Sequence, residues 1–71
     1  MPKRYSSKQV VRTLERAGFA FISQKGSHAK YRSTTLPRRT VIVPKGRKQL
    51  QPGTFGSIVE QSVLLASDFD S

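Results

Sequence analysis

The chain has 71 residues, enough for one domain with one modest core. Thirteen Lys and Arg against four Asp and Glu leave a net charge of +9, so nucleic acid, an anionic membrane surface or an acidic protein is the expected counterpart. Cysteine is absent, which excludes disulfides, thiolate chemistry and cysteine-based zinc sites and favours a reducing compartment.

Met1 to Tyr5 form a short basic lead that enters a polar segment and not an apolar one. It does not resemble a secretory signal, and no apolar run approaches membrane-spanning length, so a cytoplasmic protein with no membrane partner is expected. Ser6 and Ser7 are both suited to cap a helix, since a serine oxygen can accept from the free amides of a first turn. Val10, Val11, Leu14 and Ala17 then recur at helical spacing, with Lys8, Arg12, Glu15 and Arg16 on the other side. Gly18 reads as the stop, which gives a helix over roughly Ser7 to Ala17.

Phe19 to Gln24 is aromatic and β-branched and reads as a strand, with Phe19 and Phe21 on one face. Gly26 and Ser27 form a turn, and a second strand runs from His28 to Ser33 as the partner of an antiparallel hairpin. On that strand His28, Lys30 and Arg32 point to one face, and Ala29 and Tyr31 to the other. Thr34 to Arg39 is a polar connection containing Pro37. Thr40 to Val43 is a third strand, ended by Pro44, which cannot donate to the ladder.

Lys45 to Gly53 is a basic loop that Leu50 anchors to the core. Thr54 is placed to cap a last helix, whose apolar face is Phe55, Ile58, Val59, Ser62 and Val63. Residues 66–71 are an acidic tail with three available fates: fraying, folding back on the basic face, or extending the helix. The expected architecture is therefore α+β, in the order α-β-β-β-α. One three-stranded antiparallel sheet carries two helices on one face and leaves the other open, all in a single domain over residues 1–71.

His28 is the only histidine. It stands in a row with permanent cations, which suits a polyanion, and an imidazole, ordinarily titrating at about 6.5, is suited to accept a proton near neutral pH. RNA carries its own nucleophile in the 2′-hydroxyl, so a catalyst need only remove that proton, stabilise charge on the phosphorane and assist the departing 5′-oxygen. Lys25, Lys30 and Arg32 are candidate phosphate contacts, as are Ser27 and the loop cations Lys45, Arg47 and Lys48. One histidine and four scattered acids make a poor metal-ligand set, so no metal or other cofactor is expected. Against this stands the plainer view that a lone histidine serves structure or phosphate binding and that these cations are solvated. The phenylalanines and Tyr31 read as core, while Tyr5, if exposed, could stack on a base.

Four stretches together resemble the HicA family of toxin ribonucleases from toxin–antitoxin pairs. They are the capped helix ending in Ala17-Gly18-Phe19, Gly26-Ser27-His28 opening a strand, Val43-Pro44 ending a later strand, and Leu50 to Ile58, which is similar to the family's Leu-x-x-Gly-Thr-Leu-x-x-Ile helix opening. The resemblance implies a fold similar to a double-stranded-RNA-binding domain. It also implies endoribonuclease cleavage of messenger RNA without a ribosome, inhibition by a HicB-type antitoxin, and a catalytic role for His28. Many members carry a histidine or other polar group after the Val-Pro, where this chain has Lys45-Gly46; if that group positions RNA in those members, either Lys45 substitutes as a phosphate contact or this protein is weaker. The tail beyond Leu65 is not part of the family's core motif. The residues alone also allow a non-catalytic RNA-binding module or a basic structural subunit of a ribonucleoprotein.

Overall fold

The computed structural model describes residues 4–70; Met1–Lys3 of the basic lead and Ser71 of the tail lie outside it. The element order is α1 (Ser7–Arg16), β1 (Phe19–Lys25), β2 (His28–Ser33), β3 (Thr40–Pro44), α2 (Pro52–Ser62) and a closing 3-10 turn, Ala66–Asp70. This is the expected α-β-β-β-α arrangement, an α+β fold with antiparallel strands in the order β1-β2-β3.

Ser6, not Ser7, caps α1. Its side chain accepts from the Gln9 amide while the Gln9 side chain accepts from the Ser6 amide, a reciprocal box that satisfies two end donors. Ser7 is buried instead; its hydroxyl donates to the Pro44 carbonyl and accepts from the Arg47 amide at 3.0 Å. The helix buries Val10, Thr13 and Leu14. Ala17, expected in the core, is exposed because it is already the C-cap, and Gly18 turns the chain away with φ +92°.

The covered face of the sheet carries Phe19, Ala29, Tyr31, Val41 and Val43, all buried. Both helices pack against it, with Val10, Leu14 and Ile58 fully enclosed. Full burial of each such side chain is worth about 1.5–3 kcal/mol. Phe21 shares that face through its pairing with Tyr31 but is 53% exposed, so not every phenylalanine is core. It lies on an edge strand and reaches Tyr31 only edge-on, at 5.8 Å between ring centres. Immediately after it, the register shifts: Phe21 faces Tyr31 but Ser23 faces Lys30, leaving Ile22 as the extra residue of a β-bulge.

α2 starts three residues earlier than expected, with Pro52 at its first turn and Gln51, not Thr54, as N-cap. Proline's fixed φ and missing amide fit that position, so Thr54 lies inside the helix. Val63, expected on the apolar face, is 60% exposed because it ends the helix in a left-handed conformation, φ 58°. Of its three expected fates the tail takes a form of the second: it folds back, but against α1 and the Tyr5–Phe55 pair and not on the open sheet face. It turns back as a short helix held by Asp68, whose carboxylate accepts from the Leu65 amide, and it buries Phe69. Phe69 meets Phe55 edge-to-face at 5.3 Å, and Phe55 stacks on Tyr5 at 4.5 Å. Tyr5 is thus core and not a base-stacking surface, and its hydroxyl donates to Asp70. That hydrogen bond, then burial and the Asp70 charge, raises the Tyr5 pKa above the usual 10.0. Among the described residues no helix is long and apolar enough to cross a membrane.

Candidate active site and nucleic-acid interface

His28 is the first residue of β2 and follows a two-residue turn, Gly26-Ser27. Gly26 has φ +59°, which glycine adopts without penalty. The turn is tied on both sides. The Gln24 side chain donates to the Gly26 carbonyl at 2.9 Å, and the Lys45 amide donates to the Ser27 carbonyl at 2.6 Å. His28 is exposed, and no described side chain hydrogen-bonds to its imidazole.

The open sheet face is arranged in three cross-strand rows: Lys25–His28–Pro44, Ser23–Lys30–Ile42 and Ala20–Arg32–Thr40. The alternation places His28, Lys30 and Arg32 on one face as expected, and the bulge adds Lys25 directly opposite His28. The strand rise, however, separates Lys30 and Arg32 from His28 by about 7 and 13 Å along the chain. Arg32 is occupied there, its Nε donating to the Thr40 hydroxyl at 3.3 Å. Lys30 and Arg32 extend the basic face but do not surround the imidazole.

What surrounds it comes from the loop and from α2. His28 lines a cleft of about 210 Å³ with Arg47, Gln49, Gln51 and Thr54, floored by Pro44 and Leu50. The amides of Gly53 and Thr54 open α2, whose N-cap Gln51 makes no side-chain capping bond. The positive end of the helix dipole therefore lies at the cleft that His28 and Arg47 line, an arrangement that favours a phosphate. Leu50 is held from behind, buried and donating its amide to the Tyr5 carbonyl at 2.8 Å.

Lys45 does not join this cleft. Strand parity continues past Pro44, so its side chain turns to the covered side, where Nζ lies 3.5 Å from the Tyr31 hydroxyl and 6.0 Å above its ring. Lys45 and Lys48 line a separate cleft of about 320 Å³ with Ser6, Lys8 and, again, Arg47. Ser27 is exposed at the turn. Gln49, Gln51 and Thr54 carry no charge, so nothing in composition marked them; the α2 opening next to His28 emerges only from the fold. None of Glu15, Glu60, Asp68 and Asp70 lines either cleft. No group of three His, Asp or Glu side chains positioned for a metal occurs among the described residues.

A model of the family described as the HicA toxin of bacterial toxin–antitoxin systems matches residues 7–64 of the 71. The match spans α1 to α2 and includes His28, Arg47 and Thr54; Tyr5 and the closing turn fall outside it. No curated protein matches the chain.

Proposed function

The chain belongs to the HicA toxin family, and from that premise we propose that it is an endoribonuclease cleaving messenger RNA through His28, restrained by a HicB-type antitoxin. The observation that carries the proposal is the exposed imidazole sharing a cleft with Arg47 and the uncapped start of α2. The neutral His28 ring takes the proton of a ribose 2′-hydroxyl, and the 2′-oxygen bonds to the adjacent phosphorus. Arg47 and the Gly53 and Thr54 amides face the added negative charge of the phosphorane. The bond to the 5′-oxygen breaks, and that oxygen is protonated by water or by the imidazolium just formed. The products are a 2′,3′-cyclic phosphate and a 5′-hydroxyl, and RNA itself supplies the nucleophile. A partner that covers His28 and its cations with acidic groups blocks this chemistry by occupying the phosphate positions.

One feature favours a non-catalytic RNA-binding module. Beside His28 the cleft is lined by Pro44, Leu50, Gln49, Gln51, Thr54 and Arg47, none of them a second group suited to proton transfer. Paired induction of wild type and His28→Ala, following growth, intact message and the chemistry of RNA ends, separates the two. Arrested growth with cyclic-phosphate ends in wild type only is the expected result, with circular dichroism confirming that both proteins fold. Cleavage of all-deoxy strands or 3′-hydroxyl ends would refute the mechanism, and equal RNA loss with both proteins would remove His28 from it.

A further inference from the structure

The His28 cleft does not end the basic surface. Arg47 also lines the second cleft, whose other walls are Ser6, Ser7, Gly46, Lys8, Lys45 and Lys48. Four basic residues and no carboxylate line it, so their charges raise the local potential there, and an anion relieves that repulsion. The start of α1 does not account for the cleft. The Ser7 amide already donates to the Arg47 carbonyl, and the Gln9 amide to the Ser6 hydroxyl. With these two amides engaged, the charge presented is mainly that of the side chains. Two of them are held in place: Lys45 by its Nζ, which donates to the Tyr31 hydroxyl at 3.5 Å, and Arg47 by its backbone, clamped at both its amide and its carbonyl by Ser7.

We propose that this cleft is a second phosphate subsite, in which Lys8 and Lys48, backed by the charge of Lys45, hold a phosphate of the same RNA strand whose scissile phosphate lies at His28, with Arg47 between the two. The substrate class is then an unpaired RNA strand longer than the two nucleotides that flank the cut. In-line attack by a 2′-oxygen needs a backbone conformation that a continuous A-form duplex does not provide, so the strand is single at the cut. This rests on His28 being the cleavage site, and it adds Lys8, on the first turn of α1, to the RNA surface.

The test measures binding by His28→Ala protein, which keeps the strand intact, to a dinucleotide and to an unpaired oligonucleotide of about ten residues. Wild-type lysines should give tighter binding to the longer strand. The pair Lys8→Ala/Lys48→Ala should abolish that advantage, on the order of tenfold. The dependence of log K on log salt should become shallower by about 0.7 for each lysine–phosphate pairing removed. Lys8→Arg/Lys48→Arg should recover both. If the alanine pair keeps the full advantage and slope, the subsite is refuted while cleavage at His28 stands. The same holds if the pair binds RNA normally and loses only its grip on the antitoxin, since the cleft then belongs to the protein partner. A protein that binds no RNA of any length overturns both proposals.

Discussion

Replacing Phe69 with Ala should destabilise the whole domain, although Phe69 lies in a five-residue 3-10 turn at one end of the described chain. Its ring is 2% exposed and completes a triad with Phe55 and Tyr5. Removing a buried phenylalanine costs about 3–5 kcal/mol when the surroundings cannot collapse. Here the turn can release, which limits the loss to the transfer of one ring, about 1.5–3 kcal/mol, together with its edge-to-face pairing, about 0.5–1.5 kcal/mol. A cost of about 3 kcal/mol is a large share of the roughly 4–10 kcal/mol expected for a domain of this length. Each kcal/mol moves the midpoint by about 4–8 °C in so small a protein, so Tm should fall by about 12–24 °C. Thermal unfolding followed by circular dichroism reads this directly. The proposed RNA cleavage, at a temperature where the variant is folded, should also weaken, because Tyr5 holds Leu50 and stacks on the first turn of α2, both at the His28 cleft. A shift below about 4 °C would refute the packing argument, since it would correspond to less than about 1 kcal/mol.

Alkaline pH should loosen the same clasp. The folded Tyr5 pKa lies above its unfolded value, so the Tyr5–Asp70 contribution is complete below about pH 10 and is lost as pH rises through the folded pKa. Tyr5→Phe should therefore flatten the alkaline fall in Tm, and an unchanged fall would assign it to other groups. Ser7→Ala removes a buried hydroxyl that serves both the Pro44 carbonyl and the Arg47 amide. It should cost about 1–3 kcal/mol in denaturant unfolding and raise KM for RNA by releasing the loop that carries Arg47. A normal KM in a destabilised Ser7→Ala protein would separate the loop's anchoring from substrate binding.

Alternation and helical spacing made the architecture legible in the sequence. Val10 and Leu14, Ala29 and Tyr31, and Val41 and Val43 all point inward as their spacing requires. The neighbours of His28 were less legible, because they come from the β3–α2 loop and the start of α2, where no period operates. Lys45 could have been placed: Val41 and Val43 face inward, and continued parity sends Lys45 the same way. Pro52 likewise marked the true start of α2, since proline is favoured where a helix amide has no partner. The burial of Phe69 had no local signal. A single aromatic in an acidic tail gains its meaning only from Tyr5 and Phe55, which are distant in sequence and adjacent in the fold.

The bulge at Ile22 lets β1 hold one residue more than its partner without disturbing the site. Continued in step from Phe21–Tyr31, the ladder would set Ile22 against Lys30 and Gln24 against His28, and Lys25 would drop into a three-residue connection. By taking up the surplus at one position, the bulge returns Lys25 to the row of His28 and leaves only Gly26-Ser27 to turn. A chain lacking residue 22 altogether would reach the same row by a regular ladder, with Lys25 still opposite the imidazole. The strand can therefore lose a residue at this point without moving the row of His28, while an insertion between Ser23 and Lys25 would swap which side chain faces His28. When such chains are aligned, the gap belongs at position 22, where it costs the basic face nothing.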